Sequence, residues 1–381
     1  MKEGKYARIP ENAADIEHLW RRSQRLDPTN LPVWIWPGDA DGYRVAGFIS
    51  RAELLKREQK CYFAELEELE AAGLIVDQDP SDRYQDHIYI PAPWWDQVWS
   101  IGIFAGKSPI HLASPQNIGN PVLTRDNITD VSAVFVADPF MLRANGVWHM
   151  FFEVMNWRTG KGEIGHALSE DGVEWAYQQI VLAEPFHLSY PYVFEWMDDY
   201  YMIPERPGLS AIGVYKASNF PTLWSFVGDL VSGPYLADPS IFRHHDKWWL
   251  FTETNPDEMY DTLRLYYADE LMGPWREHEK NPIIEGDPRV ARPGGRVLVM
   301  KDTIIRYAQN CFPQYGTEVR GFEIVDLTTT TYREREVDQT PVLKPSDAGW
   351  NARGMHHIDP HLVHDRQWIA CVDGWSSNGG L

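Results

Sequence analysis

Cysteine is scarce in this chain of 381 residues: Cys61, Cys311 and Cys371 are the only three. Widely spaced and odd in number, they form neither a disulfide framework nor a zinc pattern, and they suit a reducing compartment. Positive charge is scarce as well. Lys and Arg total 35 against 55 Asp and Glu, a formal net charge of −20. Such a surface lacks the basic footprint that nucleic-acid phosphates require, and it is repelled by anionic membranes. Long apolar runs are missing too. No segment approaches the roughly 20 residues of a membrane span, and the opening MKEGKYARIP lacks the apolar stretch of a secretory leader. The expectation is a soluble, cytoplasmic protein with no nucleic-acid or membrane partner.

Aromatic residues are plentiful, with 17 Trp and 18 Tyr. Their faces stack on sugars, but they also fill the space between packed sheets. The first 97 residues differ from the rest. Ala13 to Leu26 carries Ile16, Leu19 and Trp20 at helical spacing. Ser50 followed by Glu53 forms a capping box, and Leu54, Leu55, Tyr62, Phe63, Leu66 and Leu69 continue as an apolar stripe up to a C-cap at Gly73. Residues 1–97 are therefore expected to form a small α-helical domain. Glu65, Glu67, Glu68 and Glu70 would be its solvated face. Packing on the remainder of the chain, or homo-oligomer formation through these helices, is its expected role.

From residue 98 onward one pattern recurs. Its copies open ADPFML at Asp138, SYPYVF at Tyr190, ADPSIF at Asp238, ARPGGRV at Arg292 and HIDPHLV at Asp359. Each continues into a second apolar strand ending at Glu153, Glu205, Glu253, Gln309 and Asp373, spacings of 15, 15, 15, 17 and 14 residues. Short polar turns such as RANG and RHHD join the two strands as hairpins. A third strand follows (EIGHALSEDG, AIGVYKASNF, TLRLYYADEL, VRGFEIVDL), then a fourth (QIVLAEP, GDLVSGP, NPIIEGD, TPVLKPS). Four strands in a unit of about 50 residues are the arithmetic of a propeller blade. The fifth unit ends after two strands, while SIGIFAGKSP and NPVLTR stand unpaired ahead of the first. The fold class that follows is mainly β: a five-bladed β-propeller over 98–381, closed by its N-terminal strands. Closure removes the exposed sheet edges of an open array.

First strands line the channel of a propeller, so Asp138, Tyr190, Asp238, Arg292 and Asp359 become neighbours around a funnel. Glu153, Glu205, Glu253, Gln309 and Asp373 stand near or behind them. An Asp before Pro can merely cap a turn, but three at matched repeat positions argue for more. So many acids in one place need water, a cation, an arginine or raised pKa values.

The ADPF and ADPSIF-WWLF motifs resemble the five-bladed fold of glycoside hydrolase family 43 and its family 32 and 68 relatives. That resemblance implies a general base at Asp138 and, at Asp238, a residue that orients and tunes the acid. The acid itself, a Glu opening the fourth blade, is replaced here by Arg292. The motifs ADPFM, FFEV, GEIG, HLSYPYVF, ARPGGRV, RYAQ and GMHHIDPH are closer still to the propeller region of glucosamine inositolphosphorylceramide transferase-type proteins. The chemistry is also legible without the resemblance. Glycosyl chemistry needs one carboxylate as base or nucleophile and a second acid as proton donor. Asp138 is the candidate base, and Glu205 or Asp359 the candidate donor if burial raises its pKa. Arg292 is a candidate holder of a phosphate or carboxylate. Tyr190, Trp157, Trp196 and Trp249 are candidate sugar platforms, with Glu153 and Glu253 in supporting binding roles. His356 and His357 are candidate binding or metal residues for a divalent cation such as Ca2+. A small sugar or sugar-like, possibly anionic, substrate is the expected partner. Hydrolysis, glycosyl transfer, other group chemistry (elimination, cyclisation, alkyl transfer) and a saccharide-binding role all remain open at this point.

Overall fold

The computed structural model of the chain describes residues 97–376, except 258, 302, 365 and 366, together with four short strands in the first 97 residues. The chain forms two compact units, one of residues 1–97 with 156–160, the other of 98–155 with 161–381. In the first unit Tyr6–Ala7 pairs antiparallel with Ile75–Val76, and Val33–Pro37 with Tyr43–Phe48. The second pair joins two strands that a helical reading of this region omits. The helices expected over 13–26 and 50–73 lie outside the described residues. Among the described residues no helix is long and apolar enough to cross a membrane.

The second unit is a propeller of five four-stranded antiparallel blades. Blade I comprises Ala133–Ala144, Val147–Asn156, Lys161–Ser169 and Ala176–Leu182. Blade II comprises Ser189–Trp196, Asp199–Glu205, Ala211–Asn219 and Leu223–Ser232. Blade III comprises Ala237–His244, Lys247–Glu253, Leu263–Ala268 and Arg276–Glu277. Blade IV comprises Leu298–Met300, Thr303–Asn310, Glu318–Leu327 and Tyr332–Glu336. Blade V combines the two chain regions: Ile358–His364 and Gln367–Ser376 pair onward to Val98–Ser108 and His111–Ala113. The ring closes as the missing half-unit requires, with Gly102 opposite Val372 and Phe104 opposite Ala370.

Local sequence explains the hairpins. Asn145 and Gly146, Met197 and Asp198, and His245 and Asp246 all have positive φ. Two consecutive left-handed residues match the right-handed twist of the flanking strands, as in a type I′ turn. The outermost strands are less regular than the repeat suggests. In blades III, IV and V the segments read as fourth strands (NPIIEGD, TPVLKPS, NPVLTR) supply only single bridges, Ile284 to Leu263, Leu343 to Val319 and Leu123 to Ile101. The paired fourth strand there is the preceding stretch, 276–277, 332–336 or 111–113. In two of the blades an asparagine explains the substitution. Asn120 accepts from Ile103 N and donates to Ile103 O, both at 2.8 Å, and Asn281 does the same at Leu265. The side-chain amide thus completes the edge hydrogen bonds that a full fourth strand would make.

The apolar core lies between blades. One cluster joins blades I, II and III through Phe140, Phe151, Tyr192, Met202, Ile241 and Trp248. Another joins V and I, a third IV and V, a fourth III and IV. Trp249, a candidate sugar platform from its sequence, belongs to the last of these and is a core residue.

Closure predicts shared stability. Ile103 is fully buried in the cluster between blades V and I. Ile103→Ala should cost about 2–5 kcal/mol in denaturant unfolding. Amide exchange should accelerate together in 98–106 and 367–376; independent exchange of the two segments would contradict a closed fifth blade.

Candidate functional site

Three inner strands carry the same distortion. Asp138, Tyr190 and Asp238 have φ of 53°, 47° and 48°, the left-handed region. In blades II and III the pairing register shifts at this point, so that two residues face one across the hairpin. This is a β-bulge, a device that re-aims a side chain. Left-handed backbone costs an L-residue roughly 1–2 kcal/mol, so each bulge needs support. It comes from a carboxylate of the preceding blade. Asp138 N donates to Asp373 Oδ2 at 2.9 Å, Tyr190 N to Asp138 Oδ2 at 3.2 Å, and Asp238 N to Glu205 Oε2 at 2.9 Å.

Around Asp238 a buried network has formed. Arg292 Nε donates to Asp238 Oδ2 at 2.5 Å, and Arg292 Nη2 lies 3.5 Å from Glu205 Oε2. Gln309 Nε2 donates to Asp238 Oδ2 at 2.5 Å and to Pro293 O at 2.8 Å. Burial alone would raise both carboxyls. At Asp238 the Arg292 guanidinium outweighs it and holds the group below the usual aspartate range. At Glu205 burial and the neighbouring Asp238 charge prevail, and its pKa stands well above the usual range. The two neighbouring carboxyls are thus shifted in opposite directions.

A second pair lies beside the first. His356 Nδ1 and Asp373 Oδ1 are 2.7 Å apart, and the amides of His356 and His357 also donate to Asp373 Oδ1. His356 Nε2 faces Asp138 Oδ1 at 3.6 Å. Burial opposes the imidazolium, yet Asp373 outweighs it and raises His356; Asp373 is correspondingly lowered. Burial raises Asp138 well above the ordinary range, and His356 is the largest opposing influence. His357, fully buried, is pushed down to about 4 by burial and is neutral near pH 7. Aromatic rings surround these groups. Trp99 stacks on His356 at 4.0 Å, Tyr315 meets His356 edge-on at 5.2 Å, and Arg292 lies within 5.0 Å of both the Tyr260 and Tyr315 rings. Gly316, at φ 67°, is required here: a Cβ would come within 2.7 Å of the Trp99 ring.

The other sequence candidates separate. Glu253 is fully buried; its Oε1 accepts from Asn255 N and Thr262 N, and burial lifts its pKa to about 7. Glu153 Oε1 faces His187 Nε2 at 3.2 Å, while His187 Nδ1 accepts from Gly162 N. That acceptor role places the ring hydrogen of a neutral His187 on Nε2. Tyr190 is not a platform. Its ring is fully buried, and its hydroxyl accepts from Gly295 N at 2.7 Å and lies 2.8 Å from Ser240 Oγ. Trp196 packs on Trp248 and Arg243, and Trp157 stands in the turn 156–160 that groups with the first unit.

Asp359 departs from its expected role for a reason of register. It pairs with Cys371, two residues before Asp373, just as Ser240 pairs with Phe251, two before Glu253. Asp359 therefore matches Ser240, and His356 and His357 stand nearer the register of Asp238. Its carboxylate accepts from Arg296 Nε at 2.5 Å and from Met141 N at 2.6 Å, and Arg296 Nη2 continues to Val193 O. Arg296 outweighs burial and depresses Asp359 far below the usual range. A carboxylate so held is a poor proton donor; it ties blades I, II, IV and V together. Arg296 escaped the sequence reading, although it sits in the same ARPGGRV motif as Arg292.

Comparison with known proteins places this geometry in context. The family described as glucosamine inositolphosphorylceramide transferase 1, N-terminal, matches residues 95–375. The glucosamine inositolphosphorylceramide transferase 1 of Oryza sativa subsp. japonica is 34% identical over 296 residues, covering 72% of this chain and 40% of that protein. Its Arabidopsis thaliana counterpart is 33% identical over 298 residues, covering 72% and 39%. The chain thus matches about two fifths of the length of these relatives. Among solved structures, a candidate glycosidase from Bacteroides thetaiotaomicron aligns with a TM-score of 0.50 at 11% identity, covering 68% of this chain and 95% of that one, a likeness of fold.

The Arg296–Asp359 pair predicts an acid-sensitive stability. Asp359→Asn leaves a buried guanidinium without its counter-charge and should cost about 3–5 kcal/mol at pH 7. Because the folded pKa is depressed, the pair's contribution is complete above the unfolded aspartate value of ~3.9 and is lost as pH falls below it. Urea unfolding of the variant should show a flatter acid limb than the parent. Equal stability of the two proteins at pH 7 would contradict this role.

Proposed function

The chain belongs to the family of the N-terminal region of glucosamine inositolphosphorylceramide transferase 1, and on that premise we propose that its funnel carries out glycosidic-bond chemistry, by hydrolysis or glycosyl transfer, on a small sugar or sugar-like substrate. The arrangement that carries this reading is a pair of neighbouring carboxyls with opposed shifts: Glu205 raised by burial and the Asp238 charge, Asp238 lowered by Arg292, which is bonded to it at 2.5 Å. Opposed carboxyls of this kind mark an acid–base assignment. Glu205 is the proton donor, which supplies the acid that Arg292 at the head of the fourth blade cannot. A guanidinium does not release its proton near neutral pH. Asp238 and Arg292 are positioning residues: the Asp238 charge, held by Arg292, raises Glu205.

Asp138 is the base. Its Oδ2 is anchored by Tyr190 N, while its Oδ1 is buried without a hydrogen-bond partner. A carboxyl raised toward neutrality is a stronger base, once ionised, than an ordinary aspartate. Asp138, His356 and Asp373 also offer donor atoms within 4.8 Å of one another, and with Asp138 Oδ1 orphaned the set fits a divalent cation. Such an ion would supply local positive charge among the carboxylates. His357 lies outside this set.

A second reading follows from Arg292 itself. With an arginine at the head of the fourth blade, a reaction whose leaving group departs unprotonated, or saccharide binding without turnover, needs no donor from that blade.

Substitution separates the two. Asp138→Asn should reduce turnover of a responsive glycoside by about 10²–10⁴-fold while the protein remains folded. Glu205→Gln should reduce turnover comparably for poor leaving groups and far less for leaving groups that need no proton. Full activity of Asp138→Asn would remove it from catalysis, and equal loss of Glu205→Gln on every leaving group would remove the donor assignment.

A further inference from the structure

Arg292 meets its carboxylates along one edge: Nε donates to Asp238 Oδ2 at 2.5 Å, and Nη2 lies 3.5 Å from Glu205 Oε2. Contacts along a single edge leave a planar guanidinium free to pivot about that edge. Two tyrosines take up this freedom. The guanidinium carbon lies 4.9 Å from the centre of the Tyr260 ring and 5.0 Å from that of Tyr315. The two ring centres are 5.6 Å apart and their planes are inclined by 52°, so the rings form an open cradle on one side of the cation, not a sandwich. Tyr315 is held in turn by His356 and Trp99, which it meets edge-on at 5.2 and 6.3 Å. Tyr260 is held differently. It stands on the connection between the second and third strands of blade III, at a left-handed φ of 57°. A residue with a Cβ stays in that region only where its surroundings over-determine it. Here Glu253 Oε1 accepts from Asn255 N at 2.8 Å and from Thr262 N at 3.3 Å, Thr254 N donates to Thr262 O at 2.9 Å, and Asn255 Nδ2 donates to Asp261 Oδ1 at 2.7 Å. One buried carboxylate thus fastens both ends of the connection that carries Tyr260.

We infer that Tyr260 is a positioning residue: fastened through Glu253, its ring keeps the Arg292 guanidinium against Asp238. A ring face attracts a cation most strongly where the cation is desolvated, and Arg292 is buried. For the backbone alone, glycine would serve better at this φ; what tyrosine adds is the ring. The inference rests on the proposed role of Arg292 in the funnel. Its test needs no turnover, so it stands or fails separately from the glycosidic chemistry.

Hydrogen exchange at arginine Nε–H groups, followed by 1H–15N NMR on the whole protein, reads the Arg292–Asp238 bond directly. The Arg292 signal is identified by its loss in Arg292→Lys. Arg296 and Arg306 are internal controls, since the Nε of each also donates to a carboxylate, that of Asp359 and of Glu334. Tyr260→Gly, which removes the ring and relieves the backbone, should accelerate exchange at Arg292 by about 5–30-fold and leave Arg296 and Arg306 unchanged. Tyr260→Leu, which fills the space without a π face, should exchange as fast as the glycine variant, and Tyr260→Phe should keep the parent rate. Glu253→Ala should reproduce the loss, while Glu253→Gln, whose amide oxygen still accepts, should stay close to the parent. An unchanged Arg292 rate in Tyr260→Gly, a parent-like rate in Tyr260→Leu, or equal acceleration at all three arginines would overturn the inference. A Glu253→Gln variant as fast as Glu253→Ala would assign the effect to the carboxylate charge and overturn the fastening through Glu253. For a responsive glycoside, kcat of Tyr260→Gly should fall with KM little changed. No turnover of any glycoside by the parent would remove the glycosidic reading and leave the exchange rates to decide this one.

Discussion

The site depends on a bond made between blades: a carboxylate in one blade accepts the amide hydrogen of a bulged, left-handed residue that opens the next. Asp373 holds Asp138, Asp138 holds Tyr190, and Glu205 holds Asp238. Each bond does two things. It offsets the cost of left-handed backbone at a residue with a Cβ, and it fixes where the acceptor carboxylate points. The groups best placed for chemistry are therefore the same groups that set the relative position of neighbouring blades. Charge-assisted bonds to backbone N–H are among the stronger ones available to a fold, and here they are buried.

Placing these carboxylates together creates an electrostatic problem, and the fold sets a basic side chain against two of them. Arg292 pairs with Asp238, and His356 with Asp373. Each lowers its partner while the neighbouring Glu205 or Asp138 is left to burial and rises. The result is two lowered and two raised carboxyls, an arrangement that uniform burial would not yield. Arg296 and Asp359 form a third ion pair of different purpose. Its guanidinium reaches backbone carbonyls of blades I and II as well as a carboxylate of blade V, so it acts as a central tie.

The propeller was legible because its signals are local and repeated. Hairpin spacing, polar turns and alternating strands recur five times, and the missing half-unit at one end matches the surplus at the other. The candidates Asp138, Asp238, Glu205 and Asp359, and Arg292 as a binding residue, came from the same signal, since each sits at a repeat position, and the structure brings Glu205, Asp238 and Arg292 together. What escaped depends on one residue of register or on side-chain direction. The motif Asp-Pro recurs at 359, yet the pairing of Asp359 with Cys371 puts it in the place of Ser240; residue type at a repeat does not reveal how many residues a bulge consumes. Tyr190 keeps the repeat position but turns its ring into the core. The outer strands were misplaced because an asparagine side chain can do the work of a strand edge. Trp99, Tyr260 and Tyr315, which frame Arg292 and His356, carry no repeat signal at all: they come from a strand of the fifth blade and from two loops.

Arginine at the head of the fourth blade is best understood through its partners. A glutamate in its place would set a further carboxyl beside Asp238, Glu205 and Glu253, with no cation to separate them. All would then rise together, and none would be held ionised. The arginine instead holds Asp238 below the usual aspartate range, while Glu205, one blade earlier and 3.5 Å from the same guanidinium, is left to burial and the Asp238 charge and rises. One cation therefore splits two neighbouring carboxyls instead of shifting them together.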